Sequence, residues 1–112
     1  MDCLFCKIAA GTIPSKAVHS DEHSYAFADI NPQAPVHFLV VPREHIPSIA
    51  HASSEHADVL GHLLLKAAEI ARTQGLENGY RLVVNSGRDA GQTVDHLHVH
   101  VLGGRHLSWP PG

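Results

Sequence analysis

Alternating and helical spacings of apolar residues divide the chain into a few elements. The most continuous apolar run, Val36-His37-Phe38-Leu39-Val40-Val41-Pro42, predicts a central strand. Tyr25 to Ile30 alternates, with Tyr25, Phe27 and Asp29 on one side, and predicts a hairpin with Ala17 to Ser20 across the turn Asp21-Glu22-His23-Ser24. Gly79 to Asn85 predicts a further strand. From about Ser54 to Thr73, Leu60, Leu63, Leu64, Ala67 and Ala71 follow the stripe of an amphipathic helix, with Gly75 as its stop. Ser53 or Ser54 can cap its start, with Glu55 and Asp58 in or near the first turn. His51, His56 and His62 show no partner set and are expected on the surface. Asp2 to Ile8 predicts a short turn or helical turn.

One stretch carries chemistry in its alternation. His96-Leu97-His98-Val99-His100-Val101-Leu102 predicts a strand with its three imidazoles on one face. A buried face would ordinarily hold Val or Ile, because titratable rings there need partners. Such an array suits a nucleophile flanked by partners or a metal site, since each ring offers one nitrogen for chemistry and another for an orienting hydrogen bond. A solvated, His-rich face is the plainer reading, as 11 of the 112 residues are His.

Composition narrows the classes. A chain of 112 residues is expected to be one domain, and 44% hydrophobic with 17% charged residues is an ordinary globular balance. The net charge of -3 and the lack of a Lys/Arg cluster argue against binding a nucleic-acid polymer, while leaving nucleotides open. No apolar run reaches membrane-spanning length and no leader is visible, so no membrane association and a cytoplasmic location are expected. Cys3 and Cys6 form a Cys-x-x-Cys, for which zinc, unligated thiols and a redox pair all remain open; zinc would need histidines as further ligands. The loop Ser86-Gly87-Arg88-Asp89-Ala90-Gly91-Gln92-Thr93 leads into the histidine strand, and its glycines would let backbone N–H groups approach a phosphate. Trp109, so near a terminus, is expected to pack.

Two mechanisms compete. If His98 donates Nδ1–H to a backbone carbonyl, its Nε2 is a neutral nucleophile for phosphorus, with Asn85, Thr93, His100 and the glycine loop stabilising phosphoryl oxygens. A metal hydrolase would need His96, His98 and His100 to meet one ion, yet on a strand they spread along roughly 13 Å.

The blocks Asp29-Ile30-Asn31-Pro32-Gln33-Ala34-Pro35, His37 to Val40, Gly79-Tyr80-Arg81 with Val84-Asn85, Gly91-Gln92-Thr93-Val94, His96 to Leu102, Gly103-Gly104-Arg105 and Trp109-Pro110-Pro111-Gly112 occur in this order. Together they resemble the histidine-triad (HIT) superfamily, Hint branch, over nearly the whole chain. The resemblance implies a single HIT domain over 1–112. It implies an α+β fold with an antiparallel sheet of about five strands, one long helix, a short N-terminal helix, and a homodimer with a continuous sheet. It also implies cleavage of nucleoside 5′-phosphoramidates or acyl-nucleotides, with a purine nucleoside monophosphate or derivative as ligand.

By motif, His98 would attack the α-phosphorus to give a nucleotidyl-histidine. His100 and His37 would support nucleophile and phosphate, and Asn85, Gly91, Gln92 and Thr93 would contact phosphate or leaving group. Asp29 would accept hydrogen bonds from the ribose hydroxyls, and Phe5, Ile8, Phe27, Ile30 and Leu39 would form the base pocket. The resemblance further implies structural zinc on Cys3, Cys6, His45 and His96, and no catalytic metal. Thr93 stands where serine is frequent, and Asp95 where animal members commonly have an aromatic residue; strand parity turns Asp95 away from the triad. The alternatives are a nucleotide-binding adaptor with incidental catalysis and a Fhit-like dinucleotide polyphosphate hydrolase, the latter disfavoured by the Trp109 to Gly112 tail.

Overall fold

In the computed structural model, which describes residues 3–112, one antiparallel sheet separates two apolar layers. Its strands are β1 (Ala17–Ser20), β2 (Ser24–Ala28), β3 (Val36–Pro42), β4 (Tyr80–Val83) and β5 (Val99–Gly103), in the order β1-β2-β3-β5-β4. The short helix α1 spans Leu4–Ala9, and α2 spans Ala57–Thr73 after a 3-10 turn at Ser54–His56. Asp2, where the N-terminal turn was expected to begin, lies outside the described residues. No helix among the described residues is long and apolar enough to cross a membrane.

Strand parity creates the two layers. Ala26, Phe38, Val40, Val99 and Val101 pack with Leu63, Ala67, Ile70 and Ala71 of α2 and with Leu76 beyond it. On the other face, Phe27, Leu39 and Val41 pack with Cys3, Phe5 and Ile8 of the N-terminal segment. The register Phe27↔Leu39 and Leu39↔His100 brings this second face directly to the histidines.

The helix differs from its expected stripe at two positions. Leu64 is 48% exposed, whereas Ile70, outside the expected set, is 4% exposed. The line through Leu63, Ala67, Ile70 and Ala71 faces the sheet, and Leu64 falls one step round the helix from it. Leu65, and Tyr80, Leu82 and Val84 on or beside the edge strand β4, are also exposed. Gly75 ends the helix region with φ +78° as its sequence position predicts.

Polar staples join the layers. Asp21 Oδ1 accepts the N–H groups of His23 and Ser24, both at 2.8 Å, while Oδ2 lies 2.7 Å from His19 Nε2 and 3.3 Å from His62 Nε2. Burial opposes ionisation of Asp21, but the hydrogen bonds from His19, His23 and Ser24 outweigh it and hold the carboxyl well below the usual range. His62 is therefore a partner of the hairpin turn rather than a free surface ring, because α2 passes directly behind that turn. His51 and His56 likewise find partners, in Ser48 Oγ at 2.6 Å and Glu44 at 3.3 Å. Arg43 binds Asp21 O, Ala9 O and Ser20 Oγ, each at 2.7 Å, joining α1, β1 and the end of β3.

Leu63 is the most buried leucine of the α2 layer at 1% exposure. Leu63→Ala is expected to lower unfolding free energy by about 2–5 kcal/mol in urea titrations. A loss below about 1 kcal/mol would contradict its place in a close-packed core.

Candidate active site and metal centre

β5 begins at Val99, not at His96 as the alternation predicts. Residues 96–98 leave the ladder because Leu97 N–H donates to Ile46 O at 2.7 Å instead of pairing with β3. Their side chains nonetheless continue the alternation. Leu97, Val99 and Val101 enter the α2 layer, and the rings of His96 and His98 meet the edge of Phe5 on the other side, with centroids 6.1 and 5.0 Å away. His100 follows, its ring centroid 5.1 Å from that of His98.

Hydrogen bonds to the backbone assign the protons. His98 Nδ1 lies 2.7 Å from His96 O, and a carbonyl only accepts, so Nδ1 carries the proton and Nε2 keeps its lone pair. The Gln33 N–H donates to His37 Nδ1 at 3.0 Å, so His37 is protonated at Nε2. That nitrogen lies 2.9 Å from His100 Nδ1 and 3.4 Å from Asp29 Oδ2. With Nδ1 of His100 accepting, its remaining nitrogen, Nε2, is a donor. Burial first, then the neighbouring rings of His98 and His37, lowers the pKa of His100 to about 4 against the pull of Asp29. Burial also lowers His37, again opposed by Asp29. Both rings are neutral at pH 7. A lone pair on His98 and an N–H on His100 thus lie on adjacent rings, a pairing suited to attack on phosphorus with a donor for its oxygen.

Asp29 sits beyond the end of β2, where its Oδ1 accepts Asn31 N–H at 2.8 Å and its Oδ2 stays beside His37. Phe5, Ile8, Phe27 and Leu39 form one buried wall. Ile30 departs from it: β2 ends at Ala28, and the Ile30 side chain is fully exposed in the protomer. In the loop, Gly91 takes φ +82°, and Asn85 and Thr93 make no side-chain hydrogen bond among the described residues. Gln92 does not point an unused amide at the site. Its Oε1 accepts Gly87 N–H at 2.9 Å and its Nε2 donates to Pro47 O and Val94 O, so it staples the loop instead. Asp95 is exposed, and so is Trp109 at 86%, which does not pack within the protomer as expected. A cleft of about 530 Å³ near the β4 edge, lined by Leu76, Tyr80, Arg105 and neighbours, includes none of these site residues.

Cys3, Cys6, His45 and His96 come together at the N-terminal end of α1, their donor atoms all within 4.8 Å of one another. His96 Nδ1 is 3.3 Å from Cys3 Sγ, 3.5 Å from Cys6 Sγ and 3.2 Å from His45 Nδ1, and Cys6 Sγ is 3.4 Å from His45 Nδ1. A tetrahedral ion would set sulfur and nitrogen about 3.6 Å apart and two nitrogens about 3.3 Å apart. The four residues therefore fit a metal ion with slight contraction. The tautomer fits as well: His96 Nε2 lies 2.8 Å from Pro42 O, which accepts its N–H and leaves the Nδ1 lone pair facing the sulfurs. Asp29, His37 and His100 form a second close set, but there the Gln33 N–H occupies His37 Nδ1 and keeps the proton on the nitrogen that would have to ligate.

Sequence reasoning called for a backbone carbonyl on His98 Nδ1 without identifying it as that of His96, and did not find the backbone groups of Pro42 and Gln33 that set the other tautomers. Only the proline-punctuated loop around Gln33 could have pointed to a fixed main chain there.

Comparison with known proteins agrees with this geometry. A family model described as "HIT domain" matches residues 10–107. An uncharacterized HIT-like protein of Synechocystis sp. is 50% identical over 111 residues, which cover 99% of this chain and 97% of that protein. The crystal structure of a HIT family hydrolase from Legionella pneumophila superposes with a TM-score of 0.97 at 47% identity, covering 99% of this chain and 100% of the other. A histidine triad nucleotide-binding protein from Candida albicans superposes with a TM-score of 0.83 at 31% identity, covering 97% of this chain and 83% of the other. With a family model matched over most of its length and a relative half identical to it over 99% of the chain, the chain belongs to the HIT domain family.

Proposed function

We propose that this chain, acting as a single HIT domain, is a nucleotide hydrolase that cleaves nucleoside 5′-phosphoramidates or acyl-nucleotides through a nucleotidyl-histidine on His98. The observation that carries this reading is the hydrogen bond from His98 Nδ1 to His96 O at 2.7 Å, which leaves the Nε2 lone pair available beside the His100 donor. The similar Legionella hydrolase and Candida nucleotide-binding protein support the reaction class and the ligand class respectively.

In this mechanism His98 Nε2 attacks the α-phosphorus, the P–N or P–O bond to the leaving group breaks, and a P–N bond to His98 forms. Water then attacks phosphorus, returning the electron pair to Nε2 and releasing the nucleoside monophosphate. His100 Nε2–H, the Gly91 backbone, Asn85 and Thr93 would donate to the phosphoryl oxygens or meet the leaving group. His37 would hold His100. Asp29 would accept from the ribose, and Phe5, Ile8, Phe27 and Leu39 would back the base, with Ile30 as an exposed flap at the rim. Gln92 acts from behind, by holding the loop.

Two thiols and two imidazoles make a donor set suited to zinc. Bound there, zinc would supply a structural cross-link between the N-terminal segment and His96, and no open position for the reaction. The exposed apolar positions on edge strand β4 and on α2 suit a homodimer that continues the sheet.

Adenosine 5′-phosphoramidate hydrolysis, followed as AMP release, is expected for the wild type and should fall by about 10⁴-fold or more in His98→Ala. Equal rates in both would remove His98 from the reaction. Failure of the wild type on every nucleotide amidate, ester and anhydride would favour a binding role. Elemental analysis should find one zinc per chain, and chelation should lower the thermal midpoint by roughly 10 °C or more. A protein with no bound metal and no response to added zinc would refute that site. Sedimentation should give a dimer mass, and Leu82→Arg on the edge strand should shift it toward monomer; a wild-type monomer at micromolar concentration would sink the dimer.

A further inference from the structure

Gly103-Gly104-Arg105 closes β5, yet none of its side chains enters the mechanism above. Its geometry is tightly constrained. A Cβ on Gly103 would lie 2.8 Å from Leu76 Cδ1, and Gly104 holds φ +89° where a Cβ would meet Pro35 Cβ at 3.0 Å. Gly103 thus leaves room for Leu76, and Gly104 lets the chain after β5 press against Pro35 of the Asn31 to Pro35 loop. Arg105 is carried to that loop by the approach. Its Nε and Nη2 both donate to Gln33 O, at 3.2 and 3.0 Å, and its Nη1 donates to His106 O at 3.2 Å. It makes no ion pair among the described residues, and its three side-chain hydrogen bonds all go to main-chain oxygens.

The carbonyl so held belongs to the residue whose N–H sits on His37 Nδ1 at 3.0 Å. From there the proton assignment runs on without a break, through His37 Nε2 to His100 Nδ1 at 2.9 Å, and ends with the proton on His100 Nε2. Were Gln33 to turn away, His37 could carry its proton on either nitrogen. With His37 Nε2 bare, the His100 proton would move to Nδ1, and its site-facing nitrogen would become an acceptor that repels a phosphoryl oxygen.

We propose that Arg105 is a positioning residue: by clamping the Gln33 carbonyl it keeps the Gln33 N–H on His37, and so fixes His100 as a hydrogen-bond donor toward the phosphoryl group. This rests on the hydrolase reading for its ligand, but not for its tautomers. An arginine suits the task better than a lysine, because two N–H groups of a rigid fork meet one oxygen while a third reaches the next carbonyl.

The test combines ring-nitrogen NMR of ¹⁵N-labelled protein without ligand and steady-state kinetics on adenosine 5′-phosphoramidate, for wild type, Arg105→Lys and Arg105→Ala. In the wild type, His37 and His100 should both be protonated at Nε2 only. Arg105→Ala should show a mixture of tautomers at both rings and lose about 10- to 100-fold in kcat, with a smaller change in KM. Arg105→Lys, which keeps one donor and the charge, should recover part of both. The idea is overturned if the wild-type proton sits on Nδ1 of either ring. It is equally overturned if Arg105→Ala, or Arg105→Lys should the alanine variant not fold, retains the wild-type tautomers. An inactive wild type with the expected tautomers would remove the hydrolase reading alone, leaving the clamp supported.

Discussion

Each buried imidazole of this site has one nitrogen committed to the main chain, and that commitment decides what its other nitrogen can do. Pro42 O accepts the N–H of His96 Nε2, His96 O accepts that of His98 Nδ1, and Gln33 N–H donates to the lone pair of His37 Nδ1. Carbonyls and amides cannot exchange roles, so the tautomers follow from strand geometry rather than from pH. Rings of one residue type thereby acquire three separate chemical characters within a few ångströms.

The difference between the two candidate ligand sets follows from the same constraint. At His96 the main-chain partner is an acceptor, and the nitrogen left over faces two sulfurs and His45 Nδ1 as a lone pair. At His37 the main-chain partner is a donor, and the nitrogen left over carries a proton toward His100 and Asp29. Both sets are compact enough for an ion. In the second, His37 presents a proton where a metal requires a lone pair, and freeing that nitrogen would mean giving up the Gln33 hydrogen bond behind it.

Much of the scaffold was legible because its apolar periods are clean. β3 matches its sequence run end to end at Val36–Pro42, and β1 does so at Ala17–Ser20. The failures have local causes. His96 to His98 look like strand residues because alternation survives even where Leu97 turns its N–H to Ile46. Leu64 and Ile70 were misplaced because a leucine-rich helix offers more apolar positions than one sheet face can cover. Trp109 and Ile30 are exposed in the protomer, where the sequence reading expected them to pack, because an apolar side chain on a loop or tail need not find a place in the core. The candidate site was legible as a set of side chains, since triad, Cys-x-x-Cys and glycine loop are all sequence patterns. What sequence could not supply were the backbone partners of Gln33, Pro42 and His96, which depend on where the chain passes.

His96 joins the two halves of this arrangement. Its ring belongs to the set with Cys3, Cys6 and His45, and its carbonyl holds the ring of His98. The N-terminal segment that brings the cysteines also brings Phe5, whose ring meets His96, His98 and Phe27 edge-on. Anything that pins Cys3 and Cys6 therefore also pins the apolar wall beside His98 and the carbonyl that fixes its proton. A Cys-x-x-Cys far from the triad in sequence is for this reason part of the site's rigidity: the six-residue helix α1 is too short to hold its place by its own hydrogen bonds. It is kept there by Phe5 and Ile8 in the apolar layer, by Arg43 on Ala9 O, and by the donor set at its N-terminal end.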